Sequence, residues 1–446
     1  MMKIRIGSGA GYGGDRLEPA IRLMEKGNLD YIGFECLAER TIAIAQEQKR
    51  VDPSKGYNNL LEYRMEQVIP LAYKNKIKVI TNMGAANPEK AAEILASLAR
   101  KAGARGMKIA AVIGDDVLEQ VKNQDNLVIL ETGQPLSSIK ENIVSANAYL
   151  GALPIVEALR SGADIIVTGR VADPSLFLAP MIYEFGWSMD DFRKLGKGTL
   201  IGHLLECAGQ VCGGYFADPG IKDVPELWNL GFPLVEVDES GDGFVTKLPE
   251  SGGLVSTATC TEQMLYEIHD PQNYFTPDCV ADFSKVEFHE LEKDKIAFKE
   301  GNGNQATDTY KVSVGYRNGY LGEGEISYGG ANCLKRAELA IEIIKKRLEG
   351  KELTDLRFEL IGVNSINPLN SSSQLVEPPE ARVRVAGKSG SAAIARQIGL
   401  EVEALYTNGP AGGGGATQHL SGQISIASVL LPKSEVQTNI IYQTID

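Results

Sequence analysis

The feature that most restricts the fold is an apolar strand that breaks into a glycine loop and runs straight into a helix. Lys3-Ile4-Arg5-Ile6 reads as a first strand, Gly7-Ser8-Gly9-Ala10-Gly11-Tyr12-Gly13-Gly14-Asp15-Arg16 follows, and an amphipathic stretch with Ile21, Leu23 and Met24 begins near Leu17. This layout points loop amides and a helix N-terminus toward an anion. The dinucleotide fingerprint is met only loosely, because Gly7, Gly9 and Gly11 are followed by two further glycines. Gly387-Lys388-Ser389 has Arg382 where a phosphate loop needs its first glycine. We read an anion or carboxylate cradle with Gly9, Gly11, Gly13 and Arg16 as substrate-binding candidates.

Strand and helix signals then alternate. Asp30 to Glu35, Lys78 to Asn82, Lys108 to Ile113 and Ala163 to Thr168 are short strands with apolar centres. Helices are expected over Leu60 to Ala72, Pro88 to Arg100 and Gly151 to Arg160, the second opened by Asn87 and Pro88. Such repeats predict an α/β fold, a mostly parallel sheet with helices on both faces. Ligands of these sheets bind at the carboxyl ends of the strands. There the chain places Gly7 to Arg16, Glu35 to Arg40, Thr81 to Asn87, Gly114 to Asp116 and Gly169 to Asp173. Glu35, Arg40, Asn82 and Arg170 are therefore substrate-binding candidates. Asn87 and Asp116 read better as helix caps.

The second half changes character. We expect an α/β domain over 1–217 and an α+β domain with an antiparallel sheet over 218–446, beginning with an irregular linker or lid at 218–253. Asp308 to Tyr316 and Gly319 to Tyr328 read as a hairpin turning at Arg317-Asn318-Gly319. Ala337 to Leu348 and Ser389 to Tyr406 read as helices, and Arg357 to Val363, Ala381 to Val385 and Ile424 to Ile445 as strand segments. Between them lies Asn408-Gly409-Pro410-Ala411-Gly412-Gly413-Gly414-Gly415-Ala416-Thr417. A glycine run loses much conformational freedom on folding, and its amides can converge into an anion nest. Asn408, Gly412, Gly413 and Gly414 join the substrate-binding candidates; a flexible surface loop is the competing reading.

Charge narrows the partners. A net −13 with 43% hydrophobic residues argues against nucleic acid or an anionic membrane as the main partner, and leaves a small anionic ligand open. No apolar run is long enough to span a bilayer and no secretion signal opens the chain. The six cysteines include no Cys-x-x-Cys pair, so the expectation is a cytoplasmic protein with reduced thiols.

Several residues carry chemistry. His203 and Glu206 sit three apart on an expected helix from Leu200 to Gln210, sharing one face, with Gln210 a turn beyond. They suit a general acid and base, half of a metal site, or a structural pair. Glu323 and Glu325 in Gly-Glu-Gly-Glu alternate on one strand face, where the glycines leave room for a ligand. Paired carboxylates bind a divalent cation or share a proton, so Glu323 is a catalytic candidate and both are metal candidates; an exposed polar strand face is the alternative. Arg170 has the fork to hold a substrate carboxylate, and Asp173 is a further catalytic candidate or its salt-bridge partner. On this reading Arg170→Ala removes activity and leaves stability nearly unchanged. Cys36 could be a nucleophile, though a buried thiol is commoner.

Six strings in series resemble the acyclic terpene utilisation (AtuA) family. They are Asp30 to Glu35, Thr81 to Pro88, Thr168 to Asp173, Gly202 to Cys207, Gly322 to Tyr328 and the glycine tail from Tyr406. The resemblance implies catabolism of branched acids, terpenoid acyl chains or small carboxylates. Some family members carry an extra small C-terminal domain, which implies a separate small partner subunit here, and a homo-oligomer is expected. The residues themselves favour an enzyme of small-carboxylate or acyl-CoA catabolism. It would be a hydratase or lyase, or an isomerase, that abstracts a proton beside a carbonyl. The alternative is a non-catalytic acyl-ligand-binding subunit.

Overall fold

The computed structural model describes residues 2–366 and 378–446. The chain divides into two compact units, one formed by residues 1–315 with 426–446 and the other by 316–425.

The first unit is built on a ten-stranded sheet. Its centre is parallel, in the order Lys3–Ala10, Tyr31–Phe34, Lys78–Thr81, Ile165–Thr168, Lys108–Ile113. Antiparallel strands extend it on both sides. Pro233–Asp238 pairs with Lys3–Ala10, followed by Gly243–Lys247, Lys295–Lys299 and Glu287–Glu292, and Asn439–Thr444 pairs with Lys108–Ile113. The parallel strands read as apolar runs because they are covered twice. One face packs against Glu18–Lys26, Leu61–Asn75 and Pro88–Lys101 through Leu23, Met65, Val68, Leu95 and Ala99. The other packs against Ser175–Phe185 and Phe192–Glu206. A Cβ on Gly33 would lie 2.4 Å from the Phe177 ring, which is how closely that second layer sits. Helices on both faces of a parallel core are the expected α/β arrangement.

Residues 218–253 are not merely a linker. Leu234 on one face and Val235 and Val237 on the other are buried in a strand that covers the open edge of Lys3–Ala10. An unpaired edge there would expose a row of backbone donors and acceptors.

In the second unit Thr354–Ile361, Glu380–Ser389 and Thr309–Gly329 lie side by side, with Gly413–Pro432 beyond. The helices Cys333–Leu348 and Ala392–Glu403 pack on the sheet through Ala337, Ile344, Ile398 and Val402 against Ile326, Tyr328, Val383 and Val385. This is the antiparallel α+β architecture anticipated. The hairpin at Arg317-Asn318-Gly319 does not form: Thr309–Gly329 is one uninterrupted strand. Gly319 keeps a φ of +72°, but Tyr320–Gly329 takes its partner from the distant Glu380–Ser389. Long-range pairing overrides the local turn signal.

Among the described residues no helix is long and apolar enough to cross a membrane, and the six cysteines are unpaired.

Candidate active site

The first unit holds a cavity of about 810 Å³ lined by Ala38, Glu39, Arg40, Tyr149, Arg170, Asp173, His203, Glu206, Glu267, Tyr274 and Lys311, among others. A second cavity of about 640 Å³ shares Ala38, Asp173, Glu206 and Glu267 with it. That second chamber reaches the first glycine loop (Gly11 to Gly13) and the apolar Leu227, Leu230 and Phe232. Carboxyl groups thus form the wall where the chambers meet.

His203 and Glu206 come from the last turn of the helix Phe192–Glu206, which Asp191 caps by accepting from the Lys194 amide. The helix is buried along its length because glycines admit its neighbours. A Cβ on Gly202 would lie 2.5 Å from the Pro174 carbonyl oxygen, and one on Gly196 would lie 2.0 Å from that of Asn302. The three-residue spacing brings His203 Nδ1 to 2.6 Å from Glu206 Oε1. His203 is also held through its backbone, whose carbonyl accepts from Gln263 Nε2 at 2.9 Å. Its ring packs against Tyr274 and Phe283, with centroids 5.4 and 6.0 Å away.

The outward atoms of the pair, His203 Nε2 and Glu206 Oε2, are buried and have no hydrogen-bond partner among the described residues. Such atoms are rare in folded proteins and ask for an explanation. Burial pushes the Glu206 carboxyl up to about 7, against the pull of His203. Burial works to lower His203, but the Glu206 charge and hydrogen bond outweigh it, and the imidazole is raised. The pair therefore holds a proton near neutrality, as a general acid–base group requires.

Glu35 and Asp173 complete the acidic wall. Burial, then the nearby Asp173 charge, raises Glu35 well above the carboxylate range, although Oε1 accepts from the Leu37 amide and from Asn82 Nδ2, each at 2.9 Å. Asn82 Oδ1 accepts from the Cys36 amide at 2.7 Å, so Asn82 is a bracket for the 35–37 loop. Burial also raises Asp173, in spite of its ion pair with Arg170.

Arg170 departs from its expected role. It is 1% exposed, and its guanidinium donates to the carbonyl oxygens of Val171 and Leu37 and to Asp173. Tyr149 covers it, with the guanidinium carbon 4.6 Å from the ring centroid. Four of its donor contacts are made within the protein, so Arg170 orders the strand-end loops and orients Asp173. Arg40 behaves differently: it is exposed on the cavity with no hydrogen-bond or ion-pair partner among the described residues.

The first glycine loop is filled by its own residues. The Gly11 amide donates to Asp15 Oδ2 at 2.9 Å, so the carboxylate cradle already contains a carboxylate. Gly9 packs on the Phe34 ring, Gly11 on the Cys207 backbone and Gly13 beside the Cys36 carbonyl; each would meet a neighbour within 3.1 Å through a Cβ. Arg16 Nη1 donates to the Trp228 carbonyl at 3.0 Å. Gln210 lines the second chamber with Cys36 and Tyr266. The Cys36 thiol is buried, which raises it well above the ordinary thiol range, although Arg64 donates to its sulfur at 2.9 Å.

The remaining candidates belong to the second unit and form no part of this lining. Glu325 is held by Arg382 at 2.6 Å, and Glu323 by Arg384, which also reaches Glu359 at 2.7 Å. These guanidinium groups occupy the two carboxylates expected to hold a cation. The glycines on either side of Glu323 make room for a helix instead of a ligand: a Cβ on Gly322 would lie 1.9 Å from the Ala395 carbonyl oxygen, and one on Gly324 would lie 2.7 Å from Val402 Cγ2. Among the described residues no group of three or more His, Cys, Asp or Glu side chains is arranged to hold a metal ion. In the glycine tail, Asn408 Nδ2 donates to Ala404 at 3.1 Å within its own helix end. Arg336 donates to the Ala411 carbonyl at 2.7 Å, Gly412 turns with φ +73°, and Gly413 and Gly414 open the strand Gly413–Pro432.

The model of the acyclic terpene utilisation family protein AtuA matches residues 4–442. The chain belongs to that family. The match spans the elements that carry His203, Glu206, Asp173 and Glu35, so the cavity lies inside the region that defines this AtuA family member. Comparisons with curated proteins and with solved structures give no match.

Sequence reasoning missed several lining residues of this AtuA family member. Glu39 accepts from Tyr149 Oη at 2.8 Å and from Lys311 at 2.7 Å, and these partners outweigh burial and lower its carboxyl. Glu267 reaches the shared wall with a left-handed φ of +60°. Asp115 supports the wall from behind, accepting from the Arg170 amide at 2.9 Å and from Asn147 at 2.8 Å, and burial brings it up to about 6. No local motif marks these positions; only a non-Gly residue with positive φ at Glu267 is a signal, and it is visible in the backbone alone.

Proposed function

We propose that this AtuA family member is an enzyme of carboxylate or acyl-thioester catabolism that moves a proton beside a carbonyl, as a hydratase, dehydratase or isomerase. The observation that carries the reading is the buried His203–Glu206 pair, whose Nε2 and Oε2 have no hydrogen-bond partner within bonding distance among the described residues and whose residues line the cavity. An unpaired buried polar atom costs about 1–3 kcal/mol, a cost that a functional site sustains when a substrate supplies the missing hydrogen bond.

In the dehydration direction the pair takes the proton from the carbon next to the carbonyl. Asp173, whose proton affinity is raised by burial, gives a proton to the departing hydroxyl, and water leaves as the double bond forms. Hydration is the reverse. Isomerisation needs only the first transfer followed by return of the proton to another carbon.

The test is solvent exchange. The purified chain is incubated in deuterated water with 2-unsaturated and 3-hydroxy acids, free and as coenzyme A thioesters, and followed by NMR. Deuterium entering beside the carbonyl, and lost in His203→Gln, is expected. No incorporation from any of these compounds by the wild-type chain would sink the reading.

A second reading, assembly with a small partner subunit, draws support from exposed apolar side chains at the mouth of the second chamber, which Tyr215 also lines. Tyr215, Ile221 and Trp228 are 87%, 79% and 76% exposed within one short segment. Apolar exposure of that kind marks interaction sites. Sedimentation of the chain alone and with the candidate subunit separates this reading from the catalytic one.

A further inference from the structure

The helix Glu39–Val51 begins at the cavity without a side-chain cap. Its N-cap position is Ala38, a residue with no acceptor to give the first-turn amides. Ser, Thr, Asp and Asn are strongly preferred there. Ala38 is exposed and lines both chambers, and Glu39 and Arg40 line the larger one. Thr41 Oγ1 accepts from the Ala38 amide at 2.8 Å and donates to the Ala38 carbonyl at 2.9 Å, so in this thirteen-residue helix the amides left without a side-chain cap are those of Glu39, Arg40 and Thr41, at the positive end of the dipole. Arg40, in the same turn, has no hydrogen-bond or ion-pair partner among the described residues. The one carboxylate in that turn, Glu39, is taken up by Lys311 and Tyr149.

A second, independent observation marks the same cavity as a ligand site. His203 is 2% exposed, lines it, and its Nε2 has no hydrogen-bond partner among the described residues.

We propose that the first turn of this helix, Ala38 to Thr41 with the Arg40 guanidinium, is the carboxylate subsite of the cavity. The ligand lies with its acid group on this turn, its reacting carbons over His203, Glu206 and Asp173, and its apolar end toward Leu227, Leu230 and Phe232. The charge pattern explains the direction. The shared wall carries the carboxyl groups of Asp173, Glu206 and Glu267 and offers an anion no cation of its own, while the helix start attracts one. Arg40 takes the role that Arg170 cannot, because the Arg170 fork is occupied. This inference deepens the functional reading and rests on it for the choice of cavity.

The test uses binding instead of turnover, so that its failure is distinguishable from failure of the catalytic reading. Calorimetric titration of the full chain with hexanoate and with hexanamide compares a charged ligand with a neutral one of similar shape, neither of which can lose water. Arg40→Gln is expected to weaken hexanoate by about tenfold or more while leaving hexanamide unchanged. Ala38→Asp supplies the missing cap and places a negative charge in the subsite. It is expected to raise the melting temperature and weaken hexanoate, a pair of opposite effects that a misfolded variant does not produce. Hexanoate that fails to bind the wild-type chain, binds both variants as well as wild type, or loses no more than hexanamide overturns the assignment. Hexanoate binding with these losses, but without proton exchange on any unsaturated acid, upholds the subsite and removes the catalytic reading.

Discussion

Replacing Glu206 by Gln separates a catalytic carboxylate from a structural one, because the two roles give opposite signs for stability. The Glu206 carboxyl sits near 7 in the fold against an ordinary 4.5. The native state therefore binds this proton more tightly than the unfolded chain does. That gap corresponds to on the order of 3 kcal/mol of destabilisation once the group must ionise, at about pH 8, and to none below the unfolded value. His203 acts in the same direction: its raised value stabilises the fold at pH below 6.5, and that contribution disappears as pH rises through the folded value. Stability of the parent should consequently fall between about pH 5 and pH 8. Gln keeps the shape of the neutral acid and cannot ionise. Glu206→Gln also removes the charge that raises His203, so it is expected to fall below the parent at pH 5 and to exceed it at pH 8 by on the order of 3 kcal/mol, read as a Tm higher by several degrees. Its proton-exchange rate should drop by about a hundredfold or more. The assay is a pair of thermal melts at the two pH values, with exchange followed in the same preparations. A variant less stable than the parent at both pH values refutes the reasoning, since Glu206 would then be a strut for His203.

Three further predictions concern stability. Arg170→Ala should destabilise the first unit by about 3–5 kcal/mol, because it strands Asp173 and frees the carbonyls of Leu37 and Val171; chemical denaturation that shows less than about 1 kcal/mol contradicts the buried role. Gly11→Ala pushes a Cβ to 2.5 Å from the Cys207 carbonyl carbon and should cost about 1–3 kcal/mol. Gly414→Ala meets nothing within 4 Å and should stay within about 0.5 kcal/mol of the parent by the same measurement.

The sequence anticipated the elements of the candidate site better than the roles of its residues. His203 and Glu206 were readable as a pair, because helical spacing alone puts them on one face. Glu35, Asn82, Arg170 and Asp173 were readable as strand-end residues, because a parallel sheet collects such loops at one edge. Their tasks were not. Arg170 is a guanidinium at a strand end whether its fork meets a substrate or two carbonyls, and only packing distinguishes the cases. Glu323 and Glu325 alternate on one strand face as expected, but their partners Arg382 and Arg384 arrive from a neighbouring strand far along the chain. The glycine loop at Gly9 to Gly13 has the composition of an anion cradle, and Asp15 fills it from within.

What the amino-acid order determined by itself is the local layer: apolar runs short enough for buried strands, helices with one apolar face, and a family pattern from residue 4 to 442. These depend on side-chain period and on neighbours a few residues away. The tertiary structure decided which carboxyl groups share a wall, which are raised toward neutrality and which cavity-lining cation has no partner among the described residues. Glu39, Asp173, Glu206, Glu267 and Lys311 meet only after the intervening strands and helices are stacked. A carboxyl group's proton affinity depends on the water it has lost and the charges it has gained, and folding supplies both.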